Sequence, residues 1–507
     1  MKKFTIYIKY LSLSCLLAFN SCDDALDKLP DNRVELSSVS DIEGLMANAL
    51  PDACFYSFTH SMSDNAGDGG ISGINILTNE EAYKFMDSTT EGQDTPLFYW
   101  ISCYEAIALN NLAIEFIEKI KDDEQEYKKY KHLYGEALVA RAYNHFMLVN
   151  LYCNHYDPES SKTDLGIPYV TEPETKVLVD YKRGTVAEVY DKIKKDLEKG
   201  MPLLNDELQD NPQFHFTTKS AHAFASRFYL YLGEWQKVVE HCKPVLGSNV
   251  TTKLRDWNGE YKQFTRSELL AHYTSSNEPA NLLIRVGMST YPYYYAKLRH
   301  GLTETIRDYI YSSDLPSKGR YSYSTVGWDE PDRIFINKYN SLFKRTSINA
   351  EIGHVYINNP LFSIEEVLFN FLEAKVMQEK YFTVVRELNK FYSKRVDNFM
   401  VGYDPNYNIV TEENILGIYT NRGENLESWY PINQKQKVYL RCLLHARRAE
   451  FMFEGLRWFD IKRFRLPVIH YDADRNKYQL TAQDSRKAIQ IPESAIALGM
   501  KPNPRNK

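Results

Sequence analysis

Two stretches of this 507-residue chain hold side chains suited to contact with a ligand. Ser61 to Gly73, SMSDNAGDGGISG, is dense in Gly, Asp and Asn and reads as an irregular loop. There Asp64, Asn65 and Asp68 offer carboxylates and an amide that can hydrogen-bond hydroxyl groups. The loop's glycines lack the spacing of a dinucleotide-binding turn, and no strand precedes them. No bidentate glutamate stands at the twelfth position, so a calcium loop is excluded as well. The second stretch, Tyr291 to Tyr339, carries nine tyrosines. In it Tyr293, Tyr294, Tyr295, Tyr321, Tyr323 and Trp328 present flat faces of the kind that stack on sugar rings, with Arg320 as a donor beside them. The competing reading is that these rings pack the interior around them.

Catalytic signatures do not occur. The chain has no His-Glu-x-x-His, no Gly-x-Ser-x-Gly and no P-loop. Acidic pairs such as Asp122/Asp123 and Asp329/Glu330 read as solvated charges, although a glycosidase needs two carboxylates about 5–10 Å apart. No catalytic residue, metal ligand or cofactor is assigned. A net charge of -6 without a long Lys/Arg run argues against a nucleic-acid partner. The 38 tyrosines exceed what a core requires and point to recognition surfaces.

The elements that must position these stretches are helices. Trp100, Tyr104, Ile107, Leu112 and Phe116 keep helical spacing, and Gly135–Tyr152 supplies a partner. Thr185 with Glu188 forms a capping box for a helix running to about Leu204. Thr218–Leu246 reads as two helices hinged at Gly233-Glu234-Trp235, similar to a tetratricopeptide pair. Ser363–Lys380 with Thr383–Val396 makes a second pair. A third includes Leu443–Phe464, where Cys442, Ala446, Ala449 and Phe453 line a half-buried face and Gly455 ends the helix in a left-handed conformation. The arginines and glutamates there must pair, since an unpaired charge beside a core costs several kcal/mol. No uniform 34-residue period links the pairs, so long insertions separate them.

At the N-terminus, Lys2, Lys3 and Lys9 precede an apolar run from Tyr10 to Phe19, the pattern of a secretory signal. Leu17-Ala18-Phe19-Asn20-Ser21-Cys22 resembles a bacterial lipobox, with Phe19 where an aliphatic residue is usual. Residues 1–21 are then removed, Cys22 carries the lipid, 22–40 form a tether and 41–507 a single domain. The competing reading is an ordinary signal peptide with an incidental cysteine. The five later cysteines, Cys54, Cys103, Cys153, Cys242 and Cys442, make no motif and read mostly as buried free thiols.

Arg447-Arg448-x-Glu450, Glu454-Gly455-x-Arg457-Trp458-x-Asp460-Ile461 and Arg463 resemble the C-terminal signature of the SusD/RagB family, nutrient-binding outer-membrane lipoproteins of Bacteroidetes. Trp100-x-x-x-Tyr104 with Asn110-Asn111, Arg141-Ala142-Tyr143 and the ending Ile489-Gln490-Ile491-Pro492 are similar to other blocks of that family, Gln490 replacing a proline. Asp23 and Asp24 resemble its surface-export signals.

The resemblance implies a mostly all-α fold of tetratricopeptide-like pairs with loop-rich insertions and minor β content. It implies a lipid-anchored protein on the outer face of the outer membrane, which captures an oligosaccharide for a TonB-dependent, SusC-like β-barrel. Peptide is the alternative ligand, as for RagB-type members. A lipid-anchored glycosidase and a periplasmic assembly scaffold remain competing classes. The signature covers neither candidate stretch, and its charged residues are expected to clamp the last helix pair rather than form a site.

Overall fold

A computed structural model describes residues 36–173, 181–311, 314–323, 336–348, 350–397 and 409–505. Cys22, Trp328 and most of the tether lie outside the described residues. The chain divides into Met1–Asp41 and Ile42–Lys507. In the first unit the amides of Ser37 and Ser38 both donate to Asp41 Oδ2 at 2.9 Å. The second unit carries the body of the fold.

Helices dominate it. α1 (Pro96–Lys119) lies against α2 (Glu124–Tyr152), and α2 against α3 (Val186–Gly200). From Leu133 to Tyr152, α2 is buried on every side, as a central helix with apolar and small residues all round must be. The α2–α3 crossing depends on two glycines. A Cβ on Gly135 would meet the Gly200 carbonyl oxygen at 2.8 Å, and one on Gly200 would meet that of Gly135 at 2.7 Å. Next to this contact Arg141 grips Asp196 through two bonds of 2.7 and 2.8 Å. The expected capping box of α3 forms, Thr185 Oγ1 accepting from Glu188 N and Glu188 Oε2 from Thr185 N. The helix ends at Gly200, however, because Pro202 diverts the chain into a 3₁₀ turn at Met201–Leu203.

The tetratricopeptide-like pairs form as expected: α4 (Thr218–Tyr231) with α5 (Trp235–Leu246), and α6 (Ile364–Met377) with α7 (Tyr381–Ser393). α5 packs on α6, which packs in turn on α8 (Gln434–Glu450). α8 stops at Glu450, short of the expected end at Gly455, which at φ 71° and ψ -4° instead leads into α9 (Leu456–Arg463). The minor β content is a three-stranded antiparallel sheet, Asn281–Met288, Gly353–Ser363 and Leu342–Arg345 in that order, with three two-stranded ladders.

One expectation about α8 needs correction. Cys442 to Glu450 are buried on all faces, rather than along one strip. Its charges survive there because each is paired, and with distant partners. Arg395, 0% exposed, bonds both Glu450 oxygens at 2.9 and 2.8 Å and Glu365 at 2.9 Å. Arg463 holds Glu373 at 2.6 and 2.9 Å, and Lys338 holds Glu454 at 2.5 Å. The signature therefore ties insertions and both pairs together instead of clamping one pair. All five described cysteines are free and buried.

Candidate functional site

The two stretches singled out in the sequence lie edge to edge. Ser61–Met62 close a short helix (Tyr56–Met62), and Gly67–Asp68 form a ladder with His300–Gly301, so the first stretch is less irregular than its composition suggests. Main-chain bonds continue the seam, Gly69 N to Arg299 O at 2.8 Å, Ile74 N to Lys297 O at 2.7 Å and Arg299 N to Ile74 O at 2.9 Å. Ser61 Oγ donates to His300 O at 2.7 Å. These bonds satisfy peptide groups that a polar loop would otherwise leave to water, which fixes the loop's path.

Arginines hold its carboxylates. Arg457 of α9 donates to Asp64 Oδ1 and Oδ2 at 2.8 and 2.6 Å, and reaches Glu424 Oε1 at 2.7 Å. Arg448 of α8 donates to Asn65 Oδ1 at 2.6 Å. Asp68 receives Arg299 on both oxygens, with the amides of Gly70 and Ala473 at 2.9 and 3.0 Å. Burial raises the pKa of each carboxyl, but the arginines outweigh it. Asp64 is held well below the usual range by Arg448 and Arg457, and Asp68 titrates at about 2.

A hairpin that sequence reasoning missed, Val468–Tyr471 with Lys477–Leu480, completes the face. His470 within it aims Nδ1 at Tyr83 O (2.7 Å) and Nε2 at Ser63 O (2.9 Å), so it joins the loop to the helix Leu77–Tyr83. Its ring stacks on Tyr83 at 4.1 Å. Nothing near His470 in sequence signals this, since both carbonyls lie more than 380 positions away.

The tyrosines divide sharply. Tyr294 and Tyr295 are 8% and 5% exposed; the Tyr294 hydroxyl bonds Ser57 and Asp94, and that of Tyr295 donates to Ile336 O at 3.1 Å. Tyr321 packs on Tyr311 and Tyr392, and the Tyr323 hydroxyl donates to Glu450. A ring buried among other rings has no face left for a sugar, so as stacking residues these four are corrected to core. Asn65 is buried too, and its carbonyl is taken by Arg448. Tyr293 stays 58% exposed. Arg320 is exposed on a two-residue strand paired with Val396–Asp397.

Two other tyrosines flank the loop. Tyr309 is 44% exposed, with the Arg448 and Arg422 guanidiniums 5.7 and 5.4 Å from its ring centre. Tyr471 is 54% exposed, and its carbonyl accepts the Tyr83 hydroxyl at 2.9 Å. The face thus offers aromatic planes beside carboxylates and guanidiniums already locked in place, an arrangement suited to hydrogen-bonding and stacking rather than proton transfer. Among the described residues no group of three or more His, Cys, Asp or Glu converges as a metal site.

Comparison with known proteins agrees with this architecture. Residues 24–230 match the model of a SusD-like family described as starch-binding and associating with the outer membrane. A SusD superfamily protein from Bacteroides thetaiotaomicron shares the fold at a TM-score of 0.63 and 18% identity, over 92% of this chain and 100% of that one. So does a putative sugar binding protein from Bacteroides vulgatus, at 0.61 and 21% identity over 93% and 99%. A laminarin binding SusD-like protein matches at 0.56 and 16% identity, over 92% and 100%. No curated protein sequence matches the chain.

Proposed function

We propose that this chain, matched to a SusD-like family over residues 24–230 and alike in fold to SusD superfamily proteins over nine-tenths of its length, is a non-catalytic glycan-binding protein of the SusD/RagB family. The observation that carries the reading is the seam between the two candidate stretches. It sets Tyr309 and Tyr471 beside a loop whose carboxylates are pinned by arginine. Such a face meets the ring faces of sugars with tyrosine and their hydroxyls with fixed donors and acceptors, at little ordering cost.

The electrostatics favour binding over hydrolysis. A glycosidase requires one carboxyl held protonated near neutral pH. On this face burial raises Asp64, Asp68 and Glu424, yet the arginines hold all three below their ordinary values. Hydrogen bonding from Asn476 likewise lowers Asp472.

In this reading residues 1–21 are a removed signal, Cys22 bears the lipid and the single domain from residue 41 faces outward from the outer membrane. The glycan it captures passes to a TonB-dependent, SusC-like barrel. The family's outer-membrane description and the lipobox-like sequence support this placement.

Calorimetric titration of the mature protein against panels of glycans and peptides tests the reading. A glycan that binds, and is released on Tyr309→Ala or Tyr471→Ala, is the expected result. Binding of peptides alone, or turnover of an oligosaccharide, overturns it.

A further inference from the structure

A polar cleft of about 430 Å3 is lined by none of the residues of the tyrosine face. It lies between the chain leaving α2 (Asn154 to Asp164), the end of α9 and the segment Ala482–Lys487. Two lysines line it, Lys462 at 5% exposure and Lys487 at 6%. Lys462 Nζ donates to the carbonyls of Asn150 and Cys153, at the C-terminal end of α2. Lys487 Nζ donates to Leu466 O at 2.7 Å and Ala482 O at 2.8 Å. An ammonium has three N–H groups, so each keeps one beyond these carbonyls.

Neither lysine has a carboxylate in ion-pair contact among the described residues, although four acids line the cleft. Those acids already have other partners, Arg465 among them lining the same cleft. Asp157 pairs with Arg465 at 2.7 Å, Asp484 with Arg486 at 2.7 Å and Glu159 with Lys162 at 3.0 Å, while Asp164 accepts from Ser160 Oγ at 2.8 Å. Two buried cations that share a cleft without a counter-ion are costly, and an anion bound between them removes that cost. The cleft's volume lies within the range of small-molecule sites, roughly 300–1,000 Å3.

We propose that this cleft binds a small organic oxyanion, the carboxylate, sulfate ester or phosphate ester of a polar molecule. Its charged oxygens take the remaining N–H groups of Lys462 and Lys487, and its polar body meets Asn154 and Gln483 at the mouth.

The field in the cleft supports the assignment. Burial, with the charge of Lys487 added, pushes Lys462 down to about 7 against the lift from Cys153. Burial pushes Lys487 down to about 8, with Arg465 lowering it further and Asp484 and Glu427 opposing. His155 is driven well down by burial and then by Arg463, Lys462 and Arg465. An arriving anion favours the charged lysines, so binding takes up protons and weakens as pH rises through the lysines' range.

Calorimetry of the mature protein with sodium glucuronate, inorganic phosphate and neutral glucose, at about pH 6 and about pH 9, tests the site. Both anions bind and glucose does not. Affinity falls at least about tenfold at the higher pH, and the heats in buffers of different ionisation enthalpy report proton uptake. Lys487→Met abolishes binding. Because that change also removes a carbonyl clasp, Gln483→Glu serves as a second variant; on an exposed residue it sets a fixed negative charge at the mouth and lowers affinity several-fold. Absence of anion binding, equal binding of glucose, or unchanged affinity in Gln483→Glu overturns the proposal.

Discussion

Arg457 and Asp64 are 393 positions apart in the chain, and two parallel hydrogen bonds of 2.8 and 2.6 Å join them. This is the bond by which the C-terminal signature reaches the candidate face. Arg457 is 3% exposed at its side chain and serves Glu424 as well, so Arg457→Ala leaves two carboxylates facing each other with only Arg448, 3.5 Å from Asp64, to offset them. Breaking a buried pair costs about 3–5 kcal/mol, and the Asp64 side chain, 25% exposed, lowers the expectation to about 2–3 kcal/mol. Urea unfolding of the mature protein measures it. Arg457→Lys restores the charge but not the fork and recovers only part of the loss.

Gly455 is the hinge that allows this reach. Its φ of 71° disfavours any side chain, and a Cβ there would meet Thr59 Oγ1 at 2.5 Å and the Phe55 ring at 2.9 Å. Gly455→Ala is expected to cost about 2–4 kcal/mol from backbone strain and overpacking together, seen as a lowered Tm. Gly417 is the control. It lies in the helix Glu412–Tyr419 with nothing within 4 Å of its would-be Cβ, and Gly417→Ala stabilises by about 0.5–1 kcal/mol.

His222 of α4 and His241 of α5 meet Nδ1 to Nδ1 at 2.9 Å, with ring centres 5.1 Å apart. The rings are thus nearly head to head, one nitrogen donating to the other, and the contact holds only while at least one ring is neutral. Burial lowers both, and His222 with it takes His241 to about 4. Since the folded values lie below the unfolded value of 6.5, the pair's stability is fully present above that value and is lost as pH falls toward about 4. His222→Gln/His241→Gln is expected to flatten that part of a Tm-against-pH curve. A curve parallel to that of the parent protein refutes the shared-proton contact.

Much of the helical frame is legible in the sequence because its determinants are local. The Thr185–Glu188 box, the Gly233 turn and the Gly455 break each act within four residues. The loop at Asp64 and the tyrosine stretch were legible as composition, but their roles were not. Whether Tyr294 or Tyr309 faces solvent depends on Ser57, Asp94 and Arg448, all remote in sequence, and alternating aromatics carry no sign of which side will be covered. The same holds for His470, whose two carbonyl partners come from the other end of the chain. Charge in the signature foretold pairing, since buried ions require it, without naming the partners.

That division among the tyrosines can be measured. Tyr309 and Tyr471 are about half exposed, so Tyr309→Ala and Tyr471→Ala should leave Tm within a few degrees while weakening a bound glycan by about 1–2 kcal/mol each, roughly five- to thirty-fold in Kd. Tyr294→Ala and Tyr323→Ala should do the reverse. Tyr294 is held by Ser57 and Asp94, and its loss empties the space of a buried ring and takes one of the donors from the buried Asp94 carboxylate, which keeps those of Ser289 and Thr290. Tyr323 donates to Glu450 inside the Arg395 network. Each truncation should cost about 3–5 kcal/mol in stability. Its effect on glycan affinity, read well below Tm, should be smaller than that of Tyr309→Ala. If instead Tyr294→Ala abolishes binding in a protein that melts like the parent, the buried tyrosines contact ligand after all and the exposed face is the wrong one.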